Sequence, residues 1–255
     1  MIKRKKGSKK GDNGRVVCVA GSEDYCGAAY LCAISTLRAG ADIVKVCAPE
    51  KVAWAVNALS PDLITLKLPG PVLELKHLDA IKKHCEEADV ILLGCGIGQK
   101  ASTRKLVKKL VSSFAHIPRV IDADAIKALK LQEVKNSLLT PHKAELDLLL
   151  RNSGLRGYKD ALGDNVLLIK GPTDTIVSSR EEKKSWTGNA GMTVGGTGDV
   201  LAGLCTGLIA QGAGLFEAAT AAAELNGQMG DKLMRKHGYS YIASDLVLEL
   251  AKRKL

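Results

Sequence analysis

Aromatic residues are scarce in this chain: two Phe, two Trp and five Tyr make up 4% of 255 residues. An all-β sandwich is poorly served by that composition, whereas tightly packed α/β layers are well served by the abundant Ala, Leu and Val. No apolar run approaches the roughly 20 residues that a membrane-spanning helix needs, and the basic start is not followed by the apolar segment of a secretory leader. A cytoplasmic protein with no membrane partner is expected. The seven cysteines, at 18, 26, 32, 47, 85, 95 and 205, contain no Cys-x-x-Cys pair and mostly sit in apolar strand or helix patterns. They read as buried, reduced thiols rather than a disulfide framework.

Acidic residues are also outnumbered, 27 to 37, for a formal charge of +10. Much of the excess lies in "MIKRKKGSKK", six basic residues in ten, and the rest is scattered over helix faces such as "RKLVKKL" without interleaved aromatics. A flexible basic tail over residues 1–12 and an anionic small-molecule substrate account for this, and no nucleic-acid partner is expected. No Walker loop occurs, nor a Gly-x-Gly-x-x-Gly opening a first βα unit. "GCGIGQ" is a partial match that a tight strand-to-helix turn explains equally well.

What is present is alternation. "RVVCVAG", "ADIVKVCAP", "DLITLKL", "DVILLGC", "RVIDAD", "SLLT" and "VLLIK" read as strands. Helical patterns separate them: "GAAYLCAISTLRAG", "EKVAWAVNAL", "LELKHLDAIKKHCEE", "ASTRKLVKKLVSSF" and "PHKAELDLLLRN". The fold class is α/β, a mostly parallel sheet with helices on both faces. "TDTIVSS" and "KKSWTG" add a small antiparallel hairpin, and everything after Thr197 reads as helix. With no repeat or linker, residues 1–255 form one expected domain. Five polar or Gly-rich segments, "AGSEDYCGA", "GCGIG", "DAD", "PH" and "KGPTD", end strands on the same edge, where ligands of such sheets bind.

The densest signal is "GMTVGGTGDVLAGLCTGL", residues 191–208. Val200, Leu201, Leu204, Cys205 and Leu208 recur at helical spacing, so the glycines stand at a helix N-terminus. Gly195, Gly196, Thr197 and Gly198 can offer successive N–H groups to a phosphate, with the helix dipole in support. Asp199 is placed to take a proton from a hydroxyl attacking phosphorus, unless it is an ordinary N-cap. In "TPHKAEL", Thr140 as N-cap and Pro141 at the first helical position put His142 in the first turn. Lys170 is either a phosphate-neutralising cation or a solvent-facing strand end. Asp122 and Asp124 either position magnesium through water or cap the short helix "AIKAL".

Together with "GCGIG", "VIDADAI", "LLTPHKAEL" and "IKGPTDTIV", the run "TGNAGMTVGGTGDVLAGLCTGLIAQG" resembles the NAD(P)H-hydrate dehydratase family of the ribokinase-like superfamily. The likeness extends over nearly the whole chain. It implies repair of the S-epimer of hydrated NADH or NADPH, in which water has added at C6 of the nicotinamide ring. The hydroxyl is phosphorylated from a nucleotide with Mg2+, ADP being expected here with release of AMP, and phosphate is then eliminated. By resemblance Asp199 is the base, and Ala28, Gly96, His142 and Asp199 bind the hydrate. Lys170, Gly171, Pro172, Thr173, Asp174, Asn189, Gly195, Gly196, Thr197 and Gly198 are expected at the nucleotide, while the metal ligands are not identified. Also expected are a homo-oligomer and an NAD(P)H-hydrate epimerase on a separate chain. A kinase of small hydroxyl compounds is the alternative from the same superfamily, and a non-catalytic binding protein the alternative from another class. Two positions depart from the family pattern: Cys95 where proline is common, and Lys143 where proline or a small residue is expected.

Overall fold

The alternating strands and helices close into one nine-stranded sheet in the computed structural model, which describes residues 4–253. The strands are β1 (Arg15–Val19), β2 (Ile43–Pro49), β3 (Ile64–Leu68), β4 (Val90–Leu93), β5 (Arg119–Ile121), β6 (Ser137–Leu139), β7 (Val166–Ile169), β8 (Asp174–Val177) and β9 (Glu182–Ser185). Their order is β3-β2-β1-β4-β5-β6-β7-β8-β9. Pairs from β3 through β7 are parallel, and β8 and β9 add the antiparallel hairpin. The direction of winding reverses between β1 and β4, which opens a crevice at their carboxyl ends.

Nine α-helices are assigned among the described residues: α1 (Cys26–Arg38), α2 (Glu50–Leu59), α3 (Leu78–Cys85), α4 (Ala101–Ser113), α5 (Asp124–Ala128), α6 (Lys143–Ser153), α7 (Thr197–Ala210), α8 (Leu215–His237) and α9 (Ala243–Leu250). Side chains alternate across the sheet. Val16, Cys18 and Ala20 join one core with α1, α2, α7, α8 and α9, while Val17 and Val19 join a second with α3, α4, α5 and α6. Covering both faces is why the strands read as unbroken apolar runs.

Helix α7 lies backbone-close on α1. A Cβ at Gly203 would stand 2.2 Å from the Cys32 carbonyl oxygen, and one at Gly207 2.4 Å from the Ala39 Cβ. Thr36 Oγ1 donates to the Gly203 carbonyl at 3.1 Å, locking the pair in register. That contact fixes the N-terminus of α7 over the carboxyl edge of the sheet.

The helix expected across 73–87 is split, because Glu74 N–H donates to His77 Nδ1 at 3.0 Å and closes a 3₁₀ turn before α3 begins. In the basic tail, residues 1–3 lie outside the described residues. From Arg4 onward the segment rests on Asp42: Arg4 pairs with it at 3.1 Å, and the Gly11 and Asn13 N–H groups donate to it at 3.0 and 3.1 Å. Among the described residues no helix is long and apolar enough to cross a membrane. All seven cysteines are free, six of them buried.

Candidate functional site

The segments after β1, β4, β5, β6 and β7 meet beneath the N-terminus of α7. At the crevice, Gly21 N–H donates to the Cys95 carbonyl and Ser22 Oγ to the Gly96 carbonyl, each at 2.8 Å. These bonds clamp the β1 and β4 turns together. Gly96 has φ +64, and a Cβ there would lie 2.8 Å from both the Ala28 and Tyr25 Cβ atoms. Ala28 and Gly96 therefore form one wall.

Cys95, Asp122 and Asp199 stand at the centre, with one potential ligating atom from each within 4.8 Å of the others. Asp122 is buried; its Oδ1 accepts from Thr140 Oγ1 at 2.7 Å and from Lys170 Nζ at 3.0 Å. Burial opposes the Lys170 charge, but Asp122 and Glu145 outweigh it and hold its pKa above the ordinary value. Asp199 is pushed up to about 6, first by burial and next by the Asp122 charge, against the downward pull of Cys95 and Lys170. The Cys95 thiol is held well above its ordinary pKa by Cys32, by burial and by the two carboxylates, so it is a neutral group.

The helix start explains what Asp199 is free to do. Gly196 is the N-cap, left-handed at φ 96, and supplies no capping side chain; Asp199 lies three residues on, in the first turn. It is not an N-cap. Among the described residues, the N–H groups of Gly195, Gly196, Gly198 and Asp199 find no acceptor. Open space surrounds the Cβ position of Gly195, and that of Gly198 faces Lys170 Nζ at 3.5 Å. The result is a cradle of donors with an ammonium at its rim and a carboxylate inside it. Thr197 has another task, its Oγ1 donating to the Met192 and Val194 carbonyls at 2.7 and 3.0 Å.

Two expectations about helix starts are corrected. His142, not Thr140, is the N-cap of α6: its Nδ1 accepts from Glu145 N–H at 3.3 Å, and its own N–H donates to Glu145 at 3.1 Å. Pro141 stays outside the helix because its carbonyl accepts from Lys170 N–H at 2.8 Å, continuing the β6–β7 pairing to a bridge between His142 and Lys170. Likewise neither Asp122 nor Asp124 caps α5. Ala123 occupies that position at φ 48, while Asp124 accepts from Gly98 N–H at 3.0 Å and Lys127 at 2.9 Å.

The remaining candidates flank the cradle. Gly171 N–H donates to Asp174 at 3.0 Å, closing a turn with Pro172 exposed at its tip and Thr173 half-buried. Burial raises the Asp174 pKa. The Asn189 carboxamide is engaged with protein: Oδ1 accepts from Gly191 N–H at 3.0 Å and Tyr241 OH at 2.8 Å, and Nδ2 donates to Asp231 at 3.0 Å. Tyr241 and Asp231, which hold the loop, carry no local sequence signal because they arrive from the segment before α9 and from α8.

Magnesium prefers hard oxygen ligands in octahedral geometry. The central trio offers a neutral thiol, an Asp122 already bonded to Thr140 and Lys170, and one uncommitted carboxylate, Asp199. That donor set does not make a protein cage for the ion.

Residues 16–252 match the family described as Carb_kinase, NAD(P)H-hydrate dehydratase. The chain is 38% identical to a bifunctional NAD(P)H-hydrate repair enzyme Nnr of Methanothermobacter thermautotrophicus over 96% of its own length and 50% of the relative's. It thus spans about half the length of several relatives of that kind. An ADP-dependent (S)-NAD(P)H-hydrate dehydratase of Cenarchaeum symbiosum is 34% identical, with 95% of this chain and 89% of that protein covered. Among solved structures, a ribokinase-like superfamily protein of Enterococcus faecalis superposes with TM-score 0.86 at 25% identity, over 98% of this chain and 89% of that one. The ADP/ATP-dependent NAD(P)H-hydrate dehydratase of Bacillus subtilis shares the fold at TM-score 0.82 and 22% identity, over 99% and 92%. By the family match across nearly its full length, and by the relatives that agree with it, the chain belongs to the NAD(P)H-hydrate dehydratase family.

Proposed function

We propose that this chain dehydrates the S-epimer of hydrated NADH or NADPH, using ADP as phosphoryl donor and releasing AMP and phosphate. The observation that carries this reading is Asp199: a carboxylate with pKa raised to about 6, inside the donor cradle of α7 and beside Lys170. Such a group is ionised at neutral pH yet basic enough to accept a proton. Asp199 takes the C6 hydroxyl proton as that oxygen attacks the terminal phosphorus of the nucleotide, with AMP as leaving group. The cradle N–H groups and Lys170 stabilise the phosphoryl oxygens. Phosphate then departs as the ring nitrogen lone pair forms an iminium, and loss of a C5 proton restores the ring double bond. Asp122 acts on Lys170, fixing the ammonium at the rim.

When bound, magnesium would neutralise phosphate charge, with Asp199 as the nearest uncommitted carboxylate. Ala28, Gly96 and His142 are assigned to the hydrate, and Lys170 to Asp174 with Asn189 and Gly195 to Gly198 to the nucleotide. An epimerase supplying the S-epimer, a homo-oligomeric state and a cytoplasmic location belong to the same proposal.

The test is recovery of reduced-nicotinamide absorbance from NADH hydrate and magnesium, run with ADP, ATP or no nucleotide. Recovery with ADP alone is expected. Recovery with ATP alone would keep the reaction and overturn the donor, and accumulation of a stable phosphorylated hydrate would place the chain among the superfamily's kinases.

A further inference from the structure

The loop that leads into the cradle is gripped from two helical segments far along the chain. Gly188 N–H donates to Asp231 Oδ2 at 3.1 Å and Asn189 Nδ2 to Asp231 Oδ1 at 3.0 Å, so one carboxylate of α8 holds two successive loop residues. Among the described residues these are the hydrogen bonds of the Asp231 side chain, while Lys232 beside it pairs with Glu249. A carboxylate directed at neutral donors makes charge-assisted bonds, roughly twice as strong as neutral ones. On the other side the buried Tyr241 donates its OH to Asn189 Oδ1 at 2.8 Å, and Gly191 N–H donates to the same oxygen at 3.0 Å.

From Asn189 the bonds run on to the helix start. Its carbonyl accepts from Met192 N–H at 3.0 Å, and the Met192 carbonyl accepts at 2.7 Å from Oγ1 of Thr197, the first residue of α7. Packing follows the same line. There is no room for a Cβ at Gly191 against Tyr241, at Gly227 against Thr187 or at Gly230 against Met192. Asp231 and the cradle are thus two ends of one hydrogen-bonded path that passes through Asn189, Met192 and Thr197. Gly195, Gly196 and Gly198 have little conformational preference of their own, so the shape that presents their N–H groups together has to be imposed by what flanks them.

Resting on the nucleotide-dependent reading above, we infer that Asp231 and Tyr241 are positioning residues for the phosphoryl-donor cradle, acting through Asn189. Asn189 serves the nucleotide by shaping the loop: its oxygen is committed to two protein donors and its nitrogen to the Asp231 carboxylate. Loss of one grip lets residues 187–192 sample shapes in which the cradle does not form, and ADP affinity falls by the fraction of time the competent shape is lost. Once ADP is seated, the proton transfer at Asp199 is unaffected.

The test is calorimetric titration with ADP, without hydrate, of the parent chain, Asp231→Asn, Tyr241→Phe and the reciprocal exchange that combines Asp231→Asn with Asn189→Asp. Asp231→Asn sets an amide N–H against one of the two loop donors and should lower ADP affinity about 10-fold, the scale of a charge-assisted bond, and Tyr241→Phe should lower it about 3-fold. The exchange keeps the net charge and rebuilds each bond of the network, the one between the two side chains running in the opposite direction. It should return ADP affinity to within about threefold of the parent. In hydrate turnover Asp231→Asn should raise the ADP KM about 10-fold and leave kcat and the hydrate KM within about twofold. A lowered unfolding midpoint with unchanged ADP affinity would overturn the inference, since the network would then serve only the fold, and so would failure of Asp231→Asn to fold. An exchange no better than Asp231→Asn alone would also overturn it, placing Asn189 in direct contact with the nucleotide. If the parent repairs hydrate with ADP while the variants bind ADP as tightly, only this inference falls. If the parent binds no ADP, the functional reading falls with it.

Discussion

Helices α6 and α7 both begin at the carboxyl edge of the sheet, and their N-termini are built in opposite ways. At α6 side chains cap the turn: His142 and Glu145 exchange two hydrogen bonds across it. At α7 side chains do not. The cap is a bare glycine, the Gly198 and Asp199 N–H groups are unmatched among the described residues, and Asp199 carries an ionisable group with no capping bond. The dipole field is similar at both ends, so the difference lies in whether side chains cap the turn or glycines leave it bare. A capped terminus stabilises the fold; a bare one leaves room for the nucleotide binding proposed above.

The largest break in this contrast comes from neutralising the open terminus. Asp199→Asn is expected to cut hydrate turnover by roughly 10³-fold, the range of a lost general base, while ADP binding by calorimetry changes little. Parent-like turnover would sink the base assignment. The same substitution should stabilise the protein at neutral pH. Because the folded pKa of Asp199 is about 6, above the ordinary 3.8, ionisation opposes folding; that penalty is absent below pH 4, grows as pH rises through 6 and is complete above. Asp199→Asn should therefore gain on the order of 2–3 kcal/mol at pH 8 and nothing at pH 4, read from urea unfolding at both. Equal gains at the two pH values would point to packing instead of charge.

A smaller effect sharpens the role of the ammonium at the rim. Lys170→Met leaves Asp122 uncompensated and removes a cation that holds the Asp199 pKa down. The acid limb of the pH–rate profile should move above about 6, and the ADP KM should rise about 10-fold, the scale of a lost charge-assisted bond. An unmoved acid limb would separate Lys170 from Asp199.

The same contrast explains what was legible in the sequence. Strand and helix order could be read because burial on both faces leaves continuous apolar runs, and the α7 start because four consecutive small residues ahead of an amphipathic helix have few other uses. The α6 start was misjudged by two residues: the pairing of Lys170 with Pro141, a contact between distant segments, pulls Pro141 out of the helix. Asp122 and Asp124 read as caps for the same reason. Their true partners, Thr140, Lys170 and Gly98, come from other strands and turns. Cys95 was visible only as a departure from a family pattern, and nothing local marks it as a neighbour of two carboxylates.

The closed terminus supplies the smallest and most discriminating prediction. Glu145→Ala opens α6 by removing one half of its reciprocal cap, leaving His142 N–H without its 3.1 Å acceptor. The loss should be about 1 kcal/mol of stability, typical of a cap. Turnover at saturating hydrate and ADP should stay within about twofold, since no reacting atom depends on Glu145. Its charge also supports Lys170, so a modest rise in ADP KM is compatible with this view, whereas a fall in kcat is not. A large kcat effect would mean that the two termini share the chemistry and that the closed one is not merely structural. Stability lost at α6 with turnover kept, set against turnover lost at α7 with stability gained, is the signature of two helix starts built from one geometry for opposite purposes.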